Sequence, residues 1–271
     1  LTHYTYYYEN IIKKNTSVIT VYDLIHEIVG ENQNKIVRPK KKMLEISDHI
    51  ICISENTKKD LLNFYNIDEK KISVIYLGGD HLQKNSIYSV DKFTNQIPYI
   101  LFVGSRAKYK NFEFLIKGYA KSNKLMNNIN ILLFGGGKLT KEEKKTFATL
   151  QISENKIIQT DGDDNLLSAL YNQAKAFVFP SLYEGFGLPL IESLNNNCPI
   201  VCSDIPIFKE ILGDNAYFFE SNNYDSLIKS LEDIVFSNNS NLDQKKIDFL
   251  KKKYTWQKCS EDTLNLYNKI I

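Results

Sequence analysis

The chain has 271 residues, 43% of them hydrophobic and 24% charged, which is enough to bury a sizeable core and suits two domains better than one. Lysine plus arginine (34) nearly balance aspartate plus glutamate (32), and the net charge of +2 excludes a strongly basic nucleic-acid binder. No apolar run approaches the roughly 18–20 residues that span a bilayer, and no signal-peptide pattern opens the chain. The expectation is therefore a cytoplasmic protein.

In chain order, the first apolar runs with strand character are SVITVYD at 17–23, HIICIS at 49–54 and ISVIYL at 72–77, with helical segments between them. The lysines at 40–42, like those at 251–253, read as solvated helix ends, with peripheral contact to an anionic membrane surface as the alternative. A polar stretch over 78–96, rich in Ser, Asn, Asp and Gly, shows no clear period and reads as a linker. Six further strand-like runs follow: YILFVG, NINILLFGGG, KIIQTDG, AFVFPS, PIVCSD and AYFF, each leading into a helix or turn. Short strands alternating with amphipathic helices predict a parallel α/β architecture.

Three turns carry the chemistry. After YILFVG, Gly104 and Ser105 lead into Arg106, Lys108 and Lys110, which are either anion-binding cations or exposed loop charges. After KIIQT, Asp161 and Asp163 spell a D-x-D, but a helix start follows at once, so Asp163 or Asp164 reads as a helix N-cap and not as a metal ligand. After AFVFPS, Gly185 and Gly187 permit a tight turn, and Pro189 suits the first turn of a helix. The unpaired amides and partial positive charge of a helix N-terminus offer an anion, such as a diphosphate, a place at residues 185–188. Glu184 precedes those glycines and Glu192 lies about one turn into the helix, so the two carboxylates reach different parts of one ligand. The bland alternative is a strand–turn–helix whose glycines serve packing and whose glutamates are solvated.

The four cysteines (Cys52, Cys198, Cys202, Cys259) show no C-x-x-C spacing and read as reduced core residues. His3, His26, His49 and His81 are too scattered to suggest a metal site, which leaves them structural or supporting roles.

EGFGLPLIE, with Glu184 and Glu192 separated by seven residues, and the continuation NNNCPIVCSDIPIFKEILGDNAYFF resemble the signature of retaining glycosyltransferases of family 4, the glycosyl transferases group 1. FVGSRAKYKNF further resembles bacterial surface-polysaccharide mannosyltransferases. The resemblance implies the GT-B fold, with two Rossmann-like doubly wound parallel-sheet domains. Residues 1–80 would be a partial N-terminal acceptor-side domain, 81–97 the linker, and 98–254 the donor-binding domain, with 255–271 crossing back to the first domain and Trp256 in its core. The opening βα units of a GT-B N-terminal domain are expected to be missing.

The implied reaction is transfer of a hexose, from GDP-mannose or a UDP-hexose, to a hydroxyl of a glycan or lipid-linked acceptor with retention at the anomeric carbon. Lys110, in the K-N pair with Asn111, and Arg106 would hold the donor diphosphate beside Gly104 and Ser105. Glu184 would bind donor-sugar hydroxyls and Glu192 the ribose. Gly185, Phe186, Gly187 and Leu188 would line the diphosphate, and the backbone at Gly162 would face the base. No metal or cofactor is implied. The His-Asp pair common in the family at the end of the first of these strands is Tyr22-Asp23 here, with His26 three residues on, and these three are the acceptor-side candidates. The alternatives are a nucleotide-sugar-binding remnant without catalysis, or a GT-B epimerase or phosphorylase.

Overall fold

The computed structural model describes residues 1–9, 15–30, 32–82, 90, 97–236 and 243–271. Most of the expected linker, at 83–89 and 91–96, lies outside the described residues. The chain divides into two compact units. One comprises Leu1–Gly78, Glu184–Leu188 and Lys253–Ile271; the other comprises Gly79–Tyr183 and Pro189–Lys252.

The first unit holds a four-stranded parallel sheet in the order β1-β2-β3-β4: Thr2–Tyr4, Ser17–Val21, His49–Cys52 and Ile72–Val74. Its register pairs Ile19 with Ile50 and Ile50 with Ile72. Alternate residues of these strands supply both faces. Ile19, Val21, Ile50, Cys52 and Ile72 pack with Leu24, Met43, Leu44 and Leu61, whereas Val18, Ile51 and Ile75 pack with Leu266. Burial on both faces is why these strands read as apolar runs and not as alternating ones.

Three expectations are corrected here. β1 has no apolar run to announce it, because it is a half-buried edge strand paired only with β2. Lys40, read as solvated, is 1% exposed on the helix Arg38–Ile46. Its Nζ lies 2.9 Å from Glu27 Oε2 and donates to the Asp23 carbonyl at 2.9 Å, while the Tyr65 hydroxyl donates to the other Glu27 oxygen at 2.7 Å. Only Lys41 and Lys42 of that cluster are exposed. Trp256, read as core, is 42% exposed. It starts the helix Trp256–Ile270, whose N-cap Thr255 accepts from the Lys258 amide, and the sheet-facing stripe of that helix is carried by Leu266 with Cys259, Tyr267 and Ile270.

The second unit holds six parallel strands in the order β10-β9-β8-β5-β6-β7. They are β5 Tyr99–Val103, β6 Asn130–Phe134, β7 Ile157–Thr160, β8 Ala176–Phe179, β9 Ile200–Ser203 and β10 Tyr217–Phe219. Ile100, Phe102, Ile131, Leu133, Val178 and Val201 face the helices Phe112–Lys121 and Tyr224–Phe236 through Leu115, Tyr119, Leu227 and Leu231. The alternate residues Leu101, Leu132, Phe177 and Phe179 are also fully buried. Each such side chain contributes about 1.5–3 kcal/mol on leaving water.

Cys52, Cys198 and Cys202 are buried thiols and Cys259 is half-buried, all unpaired in disulfides. Burial pushes the Cys52 and Cys198 thiols up to about 12, so they are inert core residues. Among the described residues no helix is long and apolar enough to cross a membrane.

Candidate active site

The sheet order of the second unit creates a point where the connections diverge. β5 runs to β6 and β7 on one side, and the chain then returns so that β8 lies against the other flank of β5. The loops leaving the carboxyl ends of β5 and β8 therefore separate, which is where open parallel sheets leave a crevice for ligands. These are the two loops that carry the basic residues and the start of the glycine turn. They are tied together where the Leu182 amide donates to the Tyr109 carbonyl at 2.8 Å. Ser181, on the β8 loop, is fully buried, and its hydroxyl has no hydrogen-bond partner among the described residues.

On the β5 loop, Gly104 ends the strand, Ser105 and Lys108 are exposed, and Lys110 is half-buried in the 3₁₀ turn Lys108–Lys110. The Lys110 ammonium lies 5.1 Å from the Phe179 ring centroid at the end of β8, within cation–π range. Asn111 follows in the left-handed region at φ 55°, a conformation asparagine tolerates better than most residues, and this turns the chain into the helix Phe112–Lys121.

Arg106 is a different kind of cation. Its side chain is 5% exposed and pairs with Glu143, and its guanidinium also donates to the carbonyls of Gly137 at 3.0 Å and Lys138 at 3.1 Å. Burial alone would raise the Glu143 carboxyl, but the Arg106 hydrogen bond and the Thr140 backbone outweigh it and hold the group below its ordinary value. Glu143 is itself fixed by a capping box with Thr140 at the start of the helix Lys141–Thr149. Arg106 is thus neither an exposed loop charge nor an uncommitted cation, because it clamps the loop after β6. A groove of about 490 Å³ beside it is lined by Lys108, Glu142, Glu143 and Phe147, and contains neither Lys110 nor Glu192.

The glycine turn Glu184–Leu188 groups by contact with the first unit. A Cβ on Gly185 would fall inside the Tyr22 carbonyl oxygen, so this position tolerates no side chain. The Gly185 carbonyl accepts from Ser54 Oγ at 2.7 Å and Thr57 Oγ1 at 3.1 Å. Gly187 has φ 93°, which favours glycine. Phe186 is buried, 6.2 Å from the Tyr76 ring, whereas Glu184 and Leu188 are half-buried. Close packing thus accounts for Gly185, and backbone conformation for Gly187. Tyr22 and Asp23 lie just past β2; Asp23 Oδ1 accepts from the Ile25 amide at 3.0 Å, and His26 contacts Asn32.

Glu192 sits on the helix Leu188–Asn195 with Pro189 in its first turn and is 8% exposed. One carboxylate oxygen accepts from the Tyr171 hydroxyl at 3.0 Å, and the other lies 3.5 Å from His81 Nε2. Burial raises the carboxyl above its ordinary value, the Tyr171 hydrogen bond and the His81 charge oppose that rise, and the Asp164 charge adds to it. Neither partner stands out in the sequence. His81 lies 111 residues from Glu192, and Tyr171 is one aromatic among the buried positions of its helix. Gly162 is exposed in the turn after β7, and Asp163 caps the helix Asp164–Gln173 by accepting from the Leu166 amide at 2.9 Å. Among the described residues no group of His, Cys, Asp and Glu could hold a metal ion.

Relatives share these features. The O-antigen chain mannosyltransferase RfbU of Salmonella typhimurium is 30% identical over 189 residues, covering 69% of this chain and 51% of its own length. An N-acetylgalactosamine-N,N'-diacetylbacillosaminyl-diphospho-undecaprenol 4-alpha-N-acetylgalactosaminyltransferase of Campylobacter jejuni is 28% identical over 192 residues, covering 70% and 51%. The chain thus spans about half the length of these curated relatives. The Anabaena protein HepE, solved in complex with UDP and glucose, superposes with a TM-score of 0.74 at 16% identity over 94% of this chain and 72% of its own. That likeness concerns the fold, which is GT-B. The glycosyl transferases group 1 model matches residues 87–248, more than half of the chain and the whole stretch from the β5 loop to Glu192, and the chain belongs to that family.

Proposed function

We propose that the protein transfers a hexose from a nucleoside-diphosphate sugar to a hydroxyl of a glycan or lipid-linked acceptor, with retention and without a metal ion. The observation that supports this reading best is the divergence of the β5 and β8 loops at the switch point, with Lys110 on one loop and the family's glycine turn continuing from the other. The main catalytic task is then to stabilise negative charge on the departing diphosphate. Lys110 supplies a fixed cation, and each well-placed donor of this kind is worth about 10²–10³ in rate. Arg106 acts on the same loop by holding its neighbour after β6 in place. Glu192 accepts from the ribose hydroxyls and Glu184 from those of the donor sugar. The relatives include a mannosyltransferase and an N-acetylgalactosaminyltransferase acting on a lipid diphosphate, so GDP-mannose and UDP-hexoses are the first donors to try and an undecaprenol-linked glycan the first acceptor.

Calorimetry against GDP-, UDP-, dTDP- and ADP-sugars, with and without EDTA, is expected to find one class of donor bound equally well in both conditions. Complete loss of binding on chelation would contradict the metal-free site. A transfer assay with the bound donor separates a transferase from a binding remnant, since the remnant binds donor and never turns it over.

A second measurement divides the two carboxylates. Glu192→Ala should weaken nucleoside diphosphate binding about tenfold or more, because a charged hydrogen bond contributes roughly 1.5–3 kcal/mol, and should leave a sugar phosphate that lacks ribose unaffected. Glu184→Ala should do its main damage with the complete donor sugar. Equal losses for every ligand would refute the division.

A further inference from the structure

The Glu192 carboxylate is held from two sides by groups outside the family motif. Tyr171, on the helix Asp164–Gln173, is fully buried and directs its hydroxyl at Oε2. His81 approaches Oε1 with its Nε2 at 3.5 Å and is about one-third exposed, at 37% of its side chain. The segment bearing His81 is seated on the same helix as Glu192. The Asn195 amide donates to the Gly79 carbonyl at 2.8 Å, and Gly79 lies so close to Ile191 that a Cβ there would overlap its side chain. The helix, the tyrosine and the 79–82 segment therefore form one packed assembly around one buried carboxylate.

We propose that Tyr171 and His81 are positioning residues for nucleotide recognition: together they orient the Glu192 carboxylate and keep it ionised, so that it presents acceptor lone pairs to the ribose hydroxyls. This rests on the reading of Glu192 as the ribose-binding group. A carboxylate buried to this degree pays for desolvation unless its oxygens are hydrogen-bonded or face a positive charge. The tyrosine is a permanent donor, since burial and the Glu192 charge push its hydroxyl far above its ordinary range. The ionisable groups that face the carboxylate are Tyr171, His81 and Asp164, of which the first two favour its charged form and Asp164 opposes it.

The consequence is a sign that a purely structural role would not produce. An ionised Glu192 accepts from ribose, so nucleotide affinity falls on acidification through the pKa of this carboxyl. Removing either supporting group raises that pKa and moves the fall toward neutral pH. Binding of the matching nucleoside diphosphate is measured by calorimetry across the acid-to-neutral range for the whole chain and for Tyr171→Phe, His81→Ala, His81→Gln and Glu192→Gln. The nucleotide's own phosphate titration is common to all of them, so the difference from Glu192→Gln isolates the carboxylate.

Tyr171→Phe and His81→Ala are each expected to weaken binding about five- to tenfold near neutrality, the range of one lost hydrogen bond. Each should also move the acid midpoint upward. His81→Gln, which keeps a donor, should recover part of the affinity. A midpoint that stays in place or moves down in either variant overturns the assignment for that residue, and thermal melting identifies a variant that has merely unfolded. The two readings separate cleanly. If Glu192→Gln binds nucleotide like the parent protein, Glu192 does not meet the ribose and the underlying assignment fails. If Glu192→Gln binds weakly while the other midpoints do not move, only the positioning roles fail.

Discussion

Lys110→Ala is expected to lower kcat by on the order of 10²–10³ with a much smaller change in donor affinity, the cost of removing one preorganised charge from a departing diphosphate. The ammonium matters more as charge builds than in the resting complex, so binding survives and turnover does not. Lys108→Ala is the control, because Lys108 lies in the same turn but is exposed, whereas Lys110 is half-buried over Phe179. The packing lost with Lys110 is modest, about 0.5–1 kcal/mol for an exposed cation–π contact, and cannot mimic a rate loss of that size. Steady-state kinetics with the donor identified by calorimetry decide the matter. Equal and minor effects of the two substitutions would make Lys110 an ordinary loop lysine and would move the leaving-group role elsewhere.

Lys40→Ala should be the most destabilising single charge removal in the first unit. It leaves Glu27, whose side chain is 3% exposed, with the Tyr65 hydroxyl but no positive partner, and it strips the Asp23 carbonyl of its Lys40 donor. Breaking a buried ion pair from one side costs about 3–5 kcal/mol, because the remaining charge stays desolvated. Lys40→Met combined with Glu27→Gln should recover a large part of that loss, since the amide still accepts from Tyr65 and no net charge is buried. Denaturant unfolding gives the magnitude, and hydrogen exchange at β2 and β3 locates it, both being strands of the unit that Lys40 braces. A loss below about 1 kcal/mol would mean that water reaches Glu27 and the pair is a surface bridge. The same substitution tests acceptor-side geometry, because the network grips the backbone at Asp23, directly after Tyr22 and three residues before His26.

Features governed by neighbouring residues could be read without the fold. The parallel α/β class followed from apolar runs buried on both faces, and most strand positions followed with it, since a covered parallel strand needs no polar alternation. Asp163 was legible as an N-cap because its hydrogen bond closes on an amide three residues ahead. Gly187 was legible as a turn glycine because the requirement, a positive φ, lies in its own backbone. The family motif, too, is a local string from Glu184 to Glu192. Local order misled where burial depends on what packs from afar: Lys40 resembled its exposed neighbours Lys41 and Lys42, Trp256 was read as core, and β1 has no apolar signal because an edge strand is only half covered.

Tertiary structure alone decided which side chains share a charge. Arg106 meets Glu143 across 37 residues, Tyr171 meets Glu192 across 21, and His81 meets it across 111. No periodicity connects such pairs. Their partners are chosen by strand order, which sets the β5 and β8 loops side by side although 72 residues separate Leu182 from Tyr109 and 73 separate Pro180 from Ala107. The sequence by itself therefore determined the elements and the residue types available for chemistry, because helices, strands, turns and caps are closed by short-range hydrogen bonds and apolar spacing. Only the folded sheet decided that Arg106 braces a loop while Glu192 is buried between a tyrosine and a histidine, because desolvation and Coulomb attraction act through space, between groups the chain keeps far apart.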